Sequence, residues 1–403
     1  MTSSPRPLVF TLLLACALAA PGRVAAQAAP ADALTPDRVG HMNLRELMQQ
    51  EVVSTAARYD QHPAEAGSAV TIITAQEIEQ FGYRTIQDVL SAVRGFYVTY
   101  DRNYSYIGVR GISPPGDYNA RVLVQVDGQR INENTYDSVY IGTDSFIDLG
   151  IVDHVEVVHG PGSSLYGSNA VFAVVNFVTR SNTGRPSLSV EGDLGSLGTR
   201  SGRVQFGQTT DSGVDLLFAA SRYNSDGHEA LFFPQLANST ASGGWVHGSD
   251  GDAYERVFGK VSRRALTLQG ALSNRRKSIP TGSYDTVFDD PRAETTDRRA
   301  FLAATYHSPT DRPTQINARV AFDRYVYDGS YPTDYGSDAA PDVLVNHDYA
   351  RGSWFTTEWV ASRRLGAAHH VVGGFEYRDN WQFVGNADRI VYTDLHARTR
   401  VAG

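Results

Sequence analysis

Residues Val155 to Arg180 read VEVVHGPGSSLYGSNAVFAVVNFVTR. A β-branched run ends at Gly160-Pro161-Gly162, small residues lead to Tyr166-Gly167, and a second apolar run follows. Glycine and proline punctuate strands, whereas β-branched residues build them, so the stretch predicts two strands joined by a tight loop.

Upstream of it, residues 69–181 have the texture of a compact α+β domain. Val70-Thr71-Ile72-Ile73 predicts a strand, and Thr74 with Glu77 three residues on predicts a capped helix start. Thr85 with Asp88 repeats that signal and places Ile86, Val89, Leu90 and Val93 on one helical face, with Gly95 as its stop. Strands are expected at Tyr106 to Arg110 and Val122 to Val126, the second closed by the turn dipeptide Asp127-Gly128.

Downstream, from Pro186, segments of about ten residues alternate in polarity and are split by turns, the signature of a transmembrane β-barrel. Leu266, Leu268 and Leu272 oppose Thr267, Gln269 and Ser273. Ile316, Ala318, Val320 and Phe322 oppose Asn317, Arg319, Ala321 and Asp323. Short connections are expected at 195–199, 210–213, 263–264, 308–313 and 364–367, and long ones at 224–253, 275–297 and 325–351. A barrel has brief turns on one side and extended loops on the other, whereas a soluble sandwich has no reason to keep that parity. About nine strands are expected, with the start of a tenth.

Composition agrees. The chain has 403 residues, 37 Gly and 21 Tyr against 3 Met and 1 Cys, which suits short strands and turns better than a helical bundle. A net charge of −8 without a basic stripe argues against nucleic acid as a partner. Residues 1–26 read as a signal peptide, with Arg6 ahead of the apolar stretch from Leu8 to Ala20 and a small-residue cleavage site at Val24-Ala25-Ala26. The alternative is lipidation at Cys16. Residues 27–68 form a lead-in with a short helical pattern at Met42, Leu44, Leu47 and Met48.

The pattern V-E-V-V-H-G-P, small residues, L-Y-G and V-V-N-F-V-T-R resembles the closing segment of the plug domain of TonB-dependent outer-membrane receptors. The landmarks Arg110-Gly111 and L-V-x-V-D-G at Leu123 to Gly128 occur in that family's order. The resemblance implies a plug over 69–181 and the first part of a barrel over 186–403, about nine or ten of about 22 strands. Such receptors are transporters without cofactors, and no Ser/His/Asp set or ligand-spaced His/Cys cluster points to an enzyme. By resemblance, Glu51, Val52, Val53, Ser54, Thr55 and Ala56 form a TonB box, an extended segment that the periplasmic C-terminal domain of TonB pairs with as an added strand.

The resemblance further implies that Arg110, Glu156 and His159 take part in locking the plug. His159 stands where the family has arginine, and Phe172-Ala173 where it often has Gly-Gly. The histidine allows a pH-sensitive seat or, equally, a local hydrogen bond. Ligand contacts are expected in three plug loops, at Arg102, Tyr104, Asp117, Tyr118 and Tyr136, with no metal site built into the chain. Asn224 to Gly227 and Ser249 to Asp252 carry oxygen ligands that calcium uses, but read as turns.

The expected function is energised uptake of a scarce ligand, a ferric siderophore first and cobalamin or a saccharide otherwise, with outer-membrane lipid around the barrel. A passive porin or adhesin barrel and a secreted β-sandwich binding protein are the alternatives. Nine or ten strands cannot enclose a plug, and the chain ends Arg400-Val401-Ala402-Gly403 rather than on an aromatic residue, so a fragment of a longer receptor is expected.

Overall fold

The computed structural model describes residue 55 and residues 67–113, 117–181, 186–309, 312–337, 340–366, 369–387 and 392–402. The predicted signal peptide, the helical pattern near Met42 and all of the candidate TonB box except Thr55 lie outside them.

The first layer is the small α+β domain. β1 (Val70–Thr74) runs directly into α1 (Ala75–Phe81), and α2 (Ile86–Ser91) follows. Thr74 and Glu77 form a complete capping box, and Gly82 ends α1 in the left-handed region at φ 67°. Thr85 donates its backbone N–H to Asp88 at 2.9 Å. Ile86, Val89, Leu90 and Val93 are all buried, as the one-face spacing requires. Helix α2 stops earlier than expected, and Gly95 instead makes the turn into β2 (Phe96–Tyr100), which pairs with β3 (Ser105–Val109).

β4 (Val122–Val126) and β5 (Gln129–Arg130) form a hairpin across Asp127-Gly128. Both turn residues have positive φ, 47° and 75°, as two-residue hairpins demand. β6 (Val152–His159) and β7 (Ala173–Thr179) are the two strands read from the opening stretch. Between them one helical turn, α3 (Ser163–Tyr166), occupies part of the expected loop. The sheet order is β1-β6-β7-β4-β5, with β4 and β7 parallel and the other pairs antiparallel. Val155, Val157, Val175 and Phe177 are fully buried, so this sheet carries the main core.

The second layer is a ten-stranded antiparallel sheet. Its members are β8 (Ser187–Leu194), β9 (Arg200–Thr209), β10 (Val214–Ser225), β13 (Asp252–Arg263), β14 (Leu266–Ser278), β15 (Glu294–His307), β16 (Thr314–Asp334), β17 (Val343–Leu365), β18 (His369–Ala387) and β19 (Tyr392–Ala402). They pair in chain order, and β8 and β19 are the open edges. The 224–253 connection carries an additional small hairpin, β11 (Ala230–Phe232) with β12 (Trp245–His247), that alternation alone did not mark.

Leu266, Leu268 and Leu272 are exposed on the outer face, while Gln269 and Ala271 are buried. Ile316, Val320 and Phe322 are likewise exposed, and Ala321 and Asp323 buried. A soluble sheet would bury the leucine row. Here the apolar row faces outward and the polar row is covered by the α+β domain, as a membrane wall around a filled lumen requires. The short turns fall where expected, but two long loops are shorter than the sequence suggested. β16 and β17 remain paired through Asp334 and Val343, well past the nine to eleven residues a membrane strand needs. Tyr325, Tyr331, Ala350 and Trp354 give this extension a buried inner face, so pairing continues where loop was expected.

Candidate functional site

The two ends of the plug carry different chemistry. At one end Thr55 is held by three hydrogen bonds to two side chains. Its backbone N–H donates to Glu156 Oε2 at 3.2 Å, and its hydroxyl donates to the same oxygen. Its carbonyl accepts from Tyr166 Oη at 2.7 Å. Glu156 is only 2% exposed, and a buried carboxylate needs such partners. His154 supplies another: its Nε2 lies 3.5 Å from Glu156 and its Nδ1 2.8 Å from Asp153. Burial pulls the His154 imidazole down, but the bonds to Asp153 and Glu156 outweigh it and hold its pKa up at about 9. Thr55 and Tyr166 border a cavity of about 260 Å³ between plug and wall, which Asp127, His307, Arg319 and Glu358 also line.

Arg110 and His159 are near each other but not near this clamp. Residues 156 and 159 sit on opposite faces of β6 by strand parity, so the three residues do not form one cluster. Arg110 is exposed at φ 52°, its N–H bonded to the carbonyl of Gly95 at 2.7 Å. His159 Nε2 lies 2.9 Å from Thr71 Oγ1, with Phe96 edge-on to its ring. Burial and the charge of Arg110 together hold the His159 pKa below its ordinary value. Phe172 packs on the plug core beneath the Arg121 guanidinium.

At the other end the five candidate ligand residues divide. Tyr118 and Tyr136 belong to an open aromatic surface. Tyr118 lies between Tyr106 and Tyr136, with ring centroids 6.1 and 6.2 Å away. Its hydroxyl is 3.3 Å from that of Tyr284, a wall-loop residue 72% exposed. Tyr284 in turn meets Tyr331 edge-on. Tyr104 instead belongs to the joint between plug and wall, donating to Asp297 at 2.9 Å and packing on Tyr140. Arg102 pairs with Asp250 at 3.6 Å and Asp117 with Arg121 at 3.4 Å. Asp250 also receives the buried Lys277 ammonium at 2.9 Å.

What joins plug to wall is not legible in the sequence. Cations on the inner face of the wall clasp acceptors on the plug. Arg203 pairs with Asp148 at 2.7 Å; burial alone would push that carboxyl up, but Arg203 and the Gly150 N–H hold it below its usual range. Arg256 donates to the carbonyls of Ile147 and Thr143, at 3.0 and 2.7 Å. Lys260 donates to Thr179 Oγ1 at 2.6 Å and reaches Asp127 at 3.4 Å. Arg275 donates to the Asn103 carbonyl at 2.7 Å and side-chain oxygen at 3.0 Å. Arg299 reaches the Ile131 carbonyl at 3.1 Å, and Arg319 that of Asp127 at 2.9 Å. Close approach also fixes Gly352, where any Cβ would collide with Asn134 of the plug.

The TonB-dependent Receptor Plug Domain family matches residues 62–174. Among curated relatives, the vitamin B12 transporter BtuB of Vibrio vulnificus (strain CMCP6) is 39% identical over 180 residues, 43% of this chain and 27% of that protein. The iron-regulated outer membrane virulence protein of Vibrio cholerae (classical strain O395) is 28% identical over 226 residues, 54% of this chain and 30% of that protein. The ferripyoverdine receptor of the Pseudomonas aeruginosa outer membrane superposes with a TM-score of 0.64 at 14% identity, over 87% of this chain and 50% of that one. The unliganded ferric citrate transporter FecA gives 0.62 at 17% identity, over 84% and 52%. The match thus spans about half the length of the solved receptors and less of the curated ones. The plug match, the sheet of outward apolar rows and the plug seated on its inner face agree: residues 62–174 are a TonB-dependent receptor plug domain, and the chain is similar to TonB-dependent outer-membrane receptors over that plug and ten strands of a barrel wall.

Proposed function

We propose that this chain belongs to a receptor that takes up a scarce, bulky ligand across the outer membrane, energised through TonB. The observation that carries the reading is the polarity of the plug. An open tyrosine surface lies at one end, and a clamp on Thr55 at the other. Tyrosines combine stacking area with hydroxyl donors, which suits a large ligand with both planar and polar parts. The N–H and carbonyl of Thr55 are the backbone groups an added partner strand uses. While Glu156 and Tyr166 hold them, TonB cannot pair there. Ligand at the tyrosine surface shifts the plug, the clamp opens, and residues 51–56 become available. Arg110 and His159 keep a role in seating the plug in this reading.

A ferric siderophore is the first ligand class, in keeping with the solved receptors that share the fold. Cobalamin is the second, favoured by the 39% identity to a vitamin B12 transporter. Quenching of intrinsic fluorescence in detergent, against a panel of ferric chelates and cyanocobalamin, separates them. One class should bind saturably, and Tyr118→Ala with Tyr284→Ala should weaken it at least about tenfold, the loss of one to two stacking contacts. Absence of binding by both classes overturns the ligand assignment.

A further inference from the structure

The outer face of the wall carries charge where a membrane strand should carry none. Arg298 on β15, Arg324 on β16 and Arg351 on β17 all point outward, and all are exposed. Register places them together: Arg298 pairs with Val326 and Val326 with Arg351, while Arg324 pairs with Ala300 two residues away. They border a groove of about 450 Å³ with Leu272 and Val326. Asp328 is the one carboxylate lining it, and pairs with Arg298 at 2.8 Å. Arg351 rests on the ring of Tyr349, and Arg324 makes no ion pair among the described residues. Three positive charges therefore meet one negative charge.

Their height on the wall identifies the environment. Below Arg324 the outward side chains of β16 are Phe322, Val320, Ala318 and Ile316, flanked by Leu302 and Phe355 in the Phe322 row. From Ile316 to Val326 the strand rises ~34 Å at ~3.4 Å per residue. At the usual tilt of about 40° that is ~26 Å of height, the full apolar band of an outer-membrane barrel. The arginines therefore sit at the edge of the band, on the side of the longer connections 226–251 and 279–293. That is the outer leaflet.

We propose that Arg298, Arg324 and Arg351 form a binding site for the phosphate groups of an outer-leaflet glycolipid, whose acyl chains lie along Leu272, Leu302, Phe322 and Phe355. Guanidinium groups bind phosphate through paired N–H donors and remain charged at a low-dielectric boundary. Basic pockets at a membrane boundary take anionic headgroups, and here the apolar rows directly beneath accept the chains. The site rests on the sheet lying in the outer membrane and is independent of the transported ligand and of TonB.

The test titrates the purified full chain in non-ionic detergent with bisphosphorylated lipid A, dephosphorylated lipid A and inorganic phosphate, counting bound lipid by native mass spectrometry. Bisphosphorylated lipid A should bind, and R298Q/R324Q/R351Q should weaken it at least about tenfold, to the level of the dephosphorylated lipid. R298K/R324K/R351K should retain most of the binding, and R324Q, which removes no ion pair, should lose part of it with an unchanged circular dichroism spectrum. Equal binding by wild type and both glutamine variants overturns the site. So does equal binding of the dephosphorylated lipid, or displacement by inorganic phosphate at matched concentration, which marks a free-anion site.

Discussion

Glu156 and His154 show how one side chain sets the state of another. The imidazolium stays charged because two carboxylates face it, and it lies against the Glu156 carboxyl group that holds Thr55. The folded pKa of about 9 lies above the ordinary 6.5. The stabilisation is therefore complete below about pH 6.5 and disappears as the pH rises through about 9. The unfolding temperature of the wild type should fall across that window more than that of His154→Gln. Parallel curves for the two proteins would remove the charge from the account. Arg275 is the other decisive residue, 2% exposed and facing Asp252 and Asp297 as well as Asn103. Arg275→Ala leaves buried carboxylates without their partner and should cost about 3–5 kcal/mol in denaturant unfolding. A loss below about 1 kcal/mol would mean that water enters the joint and replaces the guanidinium.

Strand alternation made most of the wall legible, because a period of two with an apolar outer row depends on local sequence alone. Leu266, Leu268 and Leu272 could be assigned to one face without any knowledge of partners. Val320 lies in the middle of that band, in register with Ala304, which pairs with Leu268. Val320→Arg should destabilise the wall by about 2–4 kcal/mol in folding assays from lipid vesicles, whereas the same change at a lumenal position should not follow membrane depth. The plug was legible for a similar reason: Thr74 with Glu77 and Asp127 with Gly128 are local signals, each with a mechanism. The wall cations were not. Arg256, Lys260, Arg275 and Arg299 carry no local signal of their role, since their partners at Ile147, Thr179, Asn103 and Ile131 are more than 80 residues away, and Arg275 falls in a stretch expected to be loop. Their one signal was a cation recurring on the inner row of successive strands, which a water-filled lumen would equally carry. The extension of β16 and β17 was hidden because Tyr325 and Tyr331 resemble loop aromatics until the strands pair. Among the candidate ligand residues, only the three-dimensional arrangement separates Tyr118 and Tyr136 at the open surface from Tyr104 in the joint.

Among the described residues, a plug is held from one side by the inner face of a ten-stranded wall. The bonds that hold it are charge-assisted and specific; among the described residues they occur on β9, β13, β14, β15 and β16, and Arg130 of the plug also lies 3.9 Å from Glu376 of β18. Such contacts fix the seat of the plug, and moving it means exchanging them for water, at a cost that is greatest for the buried Arg275 and its carboxylates. Tyr118 and Tyr136 of the tyrosine surface and Glu156 and Tyr166 of the Thr55 clamp all belong to the plug, which gives the proposed uptake function a physical link between its two ends. The most direct test is to titrate the full chain in detergent with the purified periplasmic C-terminal domain of TonB, alongside a variant lacking Glu51 to Ala56. Binding should be saturable, weaken at least about tenfold in the deletion and strengthen when Glu156→Ala opens the clamp. Equal affinity for the full chain and the deletion would contradict the proposed function.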